Sequence, residues 1–456
     1  MLINKIIILS FVLLFFSCQE KETQLGVKVS SHFNNADATI IQCSDQYYDN
    51  SATYNKSRQY SAVVAEFESL KHNIPIHVFE EKVERGLKEF LEMGRGGVSA
   101  YYPSCSENYR ASLLDSILDN LKLVNNRRPT TLAYGCGKNY YYDSLPNYIL
   151  GARNSSLLPV YALKEGVGIC TYYGKDAGNP SIYPVGDFSF LRNRPSASKS
   201  WANVISDGLS EKESLSFIKK EVKKTITNKG FYLDFMHWHI NEIKGKNAQQ
   251  FIPKLFKTLN EAIGSSYIAK VDYNEALEYL YGKQTIDSVS LFENKDAYIM
   301  RVYINRKKKE IDYNVIRTPI SFETEIKTTE SSLMEFWGNN IQSVTKVKDK
   351  IIFNALIDYT KKLNKFIIYK QANKQTIFLP LEYEVSFNDS IIQSNYPIKI
   401  SYFKKEKRNE DYKVEIVDRS LKFKKEHALR FDRNNIKYNY YAGVINKLGE
   451  SKLIKI

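Results

Sequence analysis

After its first sixteen residues the sequence lacks any apolar run long enough to cross a bilayer, which takes about 20 residues. It also lacks a phosphate-binding loop. Gly94 to Gly97 is glycine-rich, but neither the spacing nor a following Lys-Ser or Lys-Thr is present, so the stretch reads as a turn. No serine or cysteine stands in a recognisable nucleophile turn, which leaves His427 and Asp432 of the C-terminal region without a catalytic role. No internal repeat is evident, which argues against solenoids and propellers. Cysteine is sparse, five residues in 456, and one of them falls at the very start.

That start is where the chain is most informative. Lys5 precedes an apolar run from Ile6 to Phe16, followed by small Ser17 and then Cys18, which is the charged start, apolar middle and small-residue cut site of a secretory signal. Phe15, Phe16, Ser17 and Cys18 resemble the lipobox of bacterial lipoproteins. The resemblance implies a signal peptide over residues 1–17, lipidation at Cys18, and a place in the cell envelope, at the outer membrane, held by an N-terminal lipid.

Hydrophobic residues make up 43% of the chain and charged residues 25%, the balance of a soluble globular protein. At roughly 100 to 200 residues per domain, this length predicts two or three domains. Lys and Arg exceed Asp and Glu by 14, which raises the question of a nucleic-acid partner. An exported chain argues against one. The densest basic runs, Arg306 to Lys309, Lys361 to Lys365 and Lys404 to Arg408, also fall in segments that read as strand edges or turns, where Lys keeps edges soluble.

Residues 18–35 are polar and without periodicity, so they read as a tether. From Ala38 apolar runs alternate with amphipathic segments: Ile74 to Phe79, then helical Glu81 to Met93; Val98 to Tyr102, then helical Tyr109 to Leu123; Thr131 to Tyr134, then helical Leu145 to Gly151. Such alternation predicts a parallel α/β body over 36–285. Beyond it, 286–456 carries short β-branched and aromatic runs parted by turn residues, which predicts an all-β, sandwich-like region of one or two domains.

The order of segments from Ala38 to Gly282 resembles the polysaccharide deacetylase family, whose fold is a distorted (β/α) barrel. ATIIQCSD, Ala38 to Asp45, resembles the first barrel strand with its paired aspartates; LKHNIPIHVF, Leu70 to Phe79, the second strand; and GRGGVSAYYPS, Gly94 to Ser104, the place of a metal-binding histidine pair. TLAYGCG from Thr131, YILGARN from Tyr148 and FYLDFMH from Phe231 resemble the later motifs. In that family an aspartate and two histidines hold a divalent metal that activates water, a second aspartate takes the proton, and a histidine from the last strand protonates the leaving amine.

Carried over residue by residue, the resemblance implies Asp45 as metal ligand and catalytic candidate, His237 as acid, and Tyr134 and Arg153 as substrate-binding groups. Ser44 stands where the base belongs, and Ala100 and Ser104 replace the histidine pair. The divalent-metal ligand set is therefore incomplete, since such a site normally takes three protein ligands. Tyr101 and Trp238 are candidates for stacking on a sugar ring, and Arg95, Arg127 and Arg128 for meeting an acidic glycan. The implied partner is a polysaccharide, either deacetylated or merely bound. Cys43, Cys105, Cys136 and Cys170 each lie near the end of an apolar segment. They allow three disulfide pairings, a thiolate metal site or buried thiols.

Overall fold

The computed structural model describes residues 23–45, 55–83, 85–94, 96–102, 110–134, 146–154, 170–171, 210–227, 229–236, 248–306, 312–327, 340–370, 382–406 and 413–456. Its centre is a seven-stranded parallel sheet built from β3 (Thr39–Asp45), β4 (Ile76–Glu80), β5 (Gly96–Tyr102), β6 (Thr131–Tyr134), β7 (Gly151–Asn154), β8 (Cys170–Thr171) and β9 (Phe231–Met236). Their order is β8-β7-β6-β5-β4-β3-β9. The sheet curls into a half-barrel. A distorted full barrel was expected; among the described residues β8 and β9 remain separate edges and do not pair.

Helices α1 (Asn55–His72), α2 (Arg85–Met93), α3 (Ala111–Asn125), α4 (Glu211–Thr227) and α5 (Ala248–Ile263) cover the outer face. Ile40, Ile76, Val78, Val98, Ala100 and Leu132 point into that helical layer. The alternate residues Ile41, Cys43, Phe79 and Ala133 point into a second core on the inner side. Being covered on both faces explains why β4 is buried at every position and why its sequence does not alternate between apolar and exposed polar residues.

The inner core is closed at its base by α6 (Tyr273–Gln284). Asp272 caps this helix: its side chain accepts from the Glu275 N–H at 3.0 Å, and Glu275 reaches back to the Asp272 N–H at 2.9 Å, a reciprocal capping box. Parallel pairing stops with α6. At β10 (Ile286–Glu293) the chain enters antiparallel structure.

Two four-stranded sheets follow, β1-β10-β11-β15 and β13-β14-β12-β2. They comprise β11 (Ala297–Ile304), β12 (Ile320–Thr324), β13 (Ile341–Val347), β14 (Lys350–Ala355) and β15 (Leu363–Tyr369), together with β1 (Thr23–Leu25) and β2 (Val27–Val29) from the N-terminus. Leu291, Met300 and Phe366 of one sheet and Phe322, Val344 and Phe353 of the other share a core, as in a sandwich. The expected tether is thus corrected from Thr23 onward: β1 and β2 are edge strands, one in each sheet. Gly26 joins them, and a Cβ there would lie 2.2 Å from the Glu325 carboxyl.

A second antiparallel body ends the chain. It contains β16 (Val385–Asn388), β17 (Ile391–Glu406), β18 (Val414–Ala428), β19 (Tyr438–Asn446) and β20 (Ser451–Lys455). It packs on α1, where Phe67 meets Phe403 and Tyr441 edge-on at 5.3 and 5.4 Å. One expected helix is absent: Pro146 to Leu150 forms a turn, with Ile149 N–H bonded to the Pro146 carbonyl. Five residues ending in buried Ile149 and Leu150 lead straight into β7.

Candidate functional site

Because all seven strands run the same way, their C-terminal ends form one rim. In open α/β sheets and barrels, ligands collect at that end. Asp45 closes β3, in register with Phe79 of β4. On the other side Ser44 pairs with Met236, the last described residue of β9. β3 runs one residue further, to Asp45, while β9 ends at Met236, with His237 next in sequence. His237 and Trp238 themselves lie outside the described residues.

Tyr101 pairs with Ala133, and Ala133 with Arg153. That row stands two residues beyond the Asp45 row, about 6.6 Å along the strands. Tyr101 is half-buried, with its ring against the inner core. Ala100 corrects the expectation that it shares a pocket with Asp45. Side chains alternate with a period of two, and Ala100 is fully buried in the helical layer. Tyr134 ends β6, its backbone in register with Tyr102.

Beneath the rim the half-barrel is filled. Phe79 packs on His77 and Tyr273 at ring distances of 5.0 and 5.8 Å. His77 Nε2–H donates to Ser99 Oγ at 2.8 Å, while its Nδ1 accepts from the Tyr273 N–H at 3.3 Å. Thr131 Oγ1–H and the Thr130 N–H both donate to Asn274 Oδ1, at 2.7 and 3.0 Å, and Asn274 returns a bond to the Val98 carbonyl at 3.0 Å. Burial pushes the His77 imidazole down to about 3. It is a neutral strut of the base, and any ligand is confined to the rim above it.

The divalent metal implied by the family resemblance can be tested against these donors. Of the two positions that replace the histidine pair, Ala100 offers a methyl group on the wrong face and Ser104 lies outside the described residues. Among the described residues no group of three or more His, Cys, Asp or Glu could hold a metal ion. Among the described residues the donors do not fit the site, and no step is assigned to a metal.

The remaining candidates separate clearly. Arg127 and Arg128 precede β6 and so lie at the base, away from the rim. Arg127 grips the Glu278 carboxylate at 2.9 Å, and Arg128 is held by Asp115 and Asp119 at 3.2 and 2.7 Å. Neither is poised for a glycan at the rim. Cys43 is buried in β3, and Cys170 opens β8, five strands away in the sheet order. Cys18, Arg95, Ser104, Cys105 and Cys136 lie outside the described residues. His427 donates to the Ile398 carbonyl at 2.8 Å, in keeping with its having no catalytic assignment.

Two features escape the sequence reading. Glu80 closes β4 as a buried carboxylate, accepting from the Glu81 N–H at 2.9 Å. Its signal is an acid at the end of the apolar run IHVF, the same cue that marks Asp45. The second is a cavity of about 330 Å³ at the base, lined by Arg127, Lys270, Asp272, Glu275 and Arg317 among others. Asp272 and Glu275 bond each other's backbone there. Lys270 donates to the Asn73 carbonyl at 2.9 Å. Asp272 and Glu275 are thus committed to the cap of α6, and Lys270 to the end of α1.

No protein-family model matches the chain, and no curated protein matches it either. Solved structures give two weak likenesses. One is described as "putative polysaccharide deacetylase from Mycobacterium smegmatis": TM-score 0.36 and 10% identity, covering 57% of this chain and 96% of that one. The other is endo-glycoceramidase II from a Rhodococcus species: TM-score 0.15 and 8% identity, covering 62% of this chain and 61% of that one.

Proposed function

We propose that the rim binds an acetylated polysaccharide and that the protein does so without a metal centre, as a cell-envelope lipoprotein attached through Cys18. One observation carries the binding part. The strand register brings Asp45, Tyr101, Arg153 and the chain leading to His237 and Trp238 to one end of a half-barrel whose interior is already filled. A half-buried aromatic can stack on a sugar face. Arg153 supplies donors for an acetyl carbonyl, and Asp45 an acceptor for sugar hydroxyls.

A second reading is hydrolysis of the acetyl group, favoured by the pairing of β3 with β9, the strands that lead to Asp45 and towards His237. A carboxylate beside an imidazole can orient it and hold its proton. Without a Lewis acid such a pair suits an ester more readily than an amide.

Both readings meet in one experiment on soluble chain beginning at Gln19. Calorimetric titration with acetylated and deacetylated oligosaccharides in the presence of a chelator should show binding of the acetylated form only, with no acetate released. Tyr101→Ala should abolish it. Acetate release that disappears in His237→Ala would favour the hydrolase. Failure to bind any acetylated glycan would sink both.

A further inference from the structure

The expected lipid anchor and the rim are separated by a fold that has a direction. Thr23 opens β1 five residues after Cys18, so even a fully extended connection keeps their Cα atoms within about 18 Å. Unravelling cannot easily lengthen that reach. Thr23, Gln24 and Leu25 pair with Glu293, Phe292 and Leu291 in one sheet. Val27, Lys28 and Val29 pair with Thr324, Glu323 and Phe322 in the other.

The sandwich, together with the N-terminal segment clipped into it, meets the half-barrel where the parallel strands begin. His32, just after β2, accepts from Thr39 Oγ1 at 2.9 Å and donates to the Lys229 carbonyl at 2.9 Å. Asp312 N–H bonds the Asn147 carbonyl at 3.2 Å. Glu278 joins Arg127 and Thr130 of the base to the backbone of Arg317 and Thr318, which lead into β12. Each half-barrel partner outside α6 either opens a strand or stands shortly before one. The rim lies at the opposite ends, six residues beyond Thr39 along β3, or roughly 20 Å.

We infer that the sandwich is the membrane-facing base of the protein and that the rim is presented away from the lipid. The inference rests on the anchoring part of the proposed function. Thr23 pairs with Glu293, so the turn Asn294 to Asp296 sits beside the incoming tether and is the part of the sandwich nearest the bilayer surface. Lys295 in that turn is exposed and is available to anionic headgroups. A rim that faces outward can meet a polymer too large to pass between protein and membrane.

Lysine acylation followed by mass spectrometry tests the orientation on the acylated full chain. The protein would be bound to phosphatidylethanolamine and phosphatidylglycerol vesicles and compared with soluble Cys18→Ser. Lys295 should be protected severalfold on vesicles. Lys82, exposed just past the rim end of β4, should react equally in both. A Gly-Ser spacer inserted after Gln19 should release Lys295. Protection of Lys82, or of the exposed β18 lysines Lys422, Lys424 and Lys425 in place of Lys295, would overturn the orientation. Vesicle flotation reads the anchor separately: a wild-type chain that fails to float removes the anchor, and the inference with it.

Discussion

Arg419 of β18 holds the Glu66 carboxylate of α1 at 2.6 Å, with side-chain exposures of 6% and 0%. This ion pair joins the last β body to the half-barrel and is shut away from water on both sides. Ser401 of β17 adds a bond to the other carboxylate oxygen at 3.2 Å. Burial pushes the Glu66 carboxyl up, opposed by the pull of Arg419, so the pair is a fixed latch whose parts depend on each other. Removing one partner strands a buried charge, which costs about 3 to 5 kcal/mol. Arg419→Ala should therefore detach the C-terminal sheet from α1 at lower urea than the rest unfolds, seen as an early transition absent from wild type.

A close approach at the base gives a second prediction. Gly97, the second residue of β5, lies against the cap of α6, and a Cβ there would lie 2.0 Å from Asp272 Oδ2. Gly97→Ala must displace that carboxylate and break the capping box. Overpacking of this kind costs about 1 to 3 kcal/mol. The expected result is a lower urea midpoint with an unchanged m-value, while Gly264→Ala, which has nothing within 4 Å and differs only by its positive φ, should cost less.

The parallel half of the fold is legible in the sequence because its strands are buried on both faces. Ile74 to Phe79 and Val98 to Tyr102 stand out as apolar runs between helical periods. The N-terminal pair is not legible: TQL and VKV are too short to show a period, and their partners lie almost 300 residues away. The rim is legible only in part. Asp45 ends β3 and Tyr101 stands one residue before the end of β5, but a segment-by-segment match carries no information about which face a residue takes. Ala100 is therefore assigned to the wrong side, and alternation along β5 settles the matter only once the register is known.

Acid should loosen the base. Burial lowers the His77 imidazole to about 3 and the His32 imidazole to about 4, from an ordinary 6.5. Both are neutral in the fold and gain a proton on unfolding below pH 6.5. Stability from these groups is thus present above the unfolded value and lost as pH falls toward 4. Each contributes up to roughly 1.4 kcal/mol per pH unit in that window. Denaturation midpoints measured between neutral and acid pH should fall, and His77→Gln should flatten the slope. An unchanged slope in that variant would mean His77 does not carry it.

Glu275 should produce the opposite trend in alkali. Burial, with Asp272 beside it, holds its carboxyl up to about 8, against an ordinary 4.5. A carboxyl raised in the fold stabilises fully below its unfolded value, and that contribution is lost as pH rises through the folded one. The melting temperature should drop across neutral to mildly alkaline pH. Glu275→Gln keeps an oxygen to accept the Asp272 N–H yet cannot ionise, so it should lose that drop while leaving α6 capped.

Truncation gives the last prediction, because it separates a tether from a structural strand. Chain beginning at Gln19 keeps β1 and β2, whereas chain beginning at Ser30 loses both. Its loss turns β10 and β12 into open edges and uncovers the core that Leu25, Val27 and Val29 pack against. Exposed strand edges recruit other chains. The Ser30 form should therefore bind a hydrophobic dye and associate in light scattering at concentrations where the Gln19 form stays monodisperse. Equal behaviour of the two would mean that residues 23–29 are as dispensable as a tether.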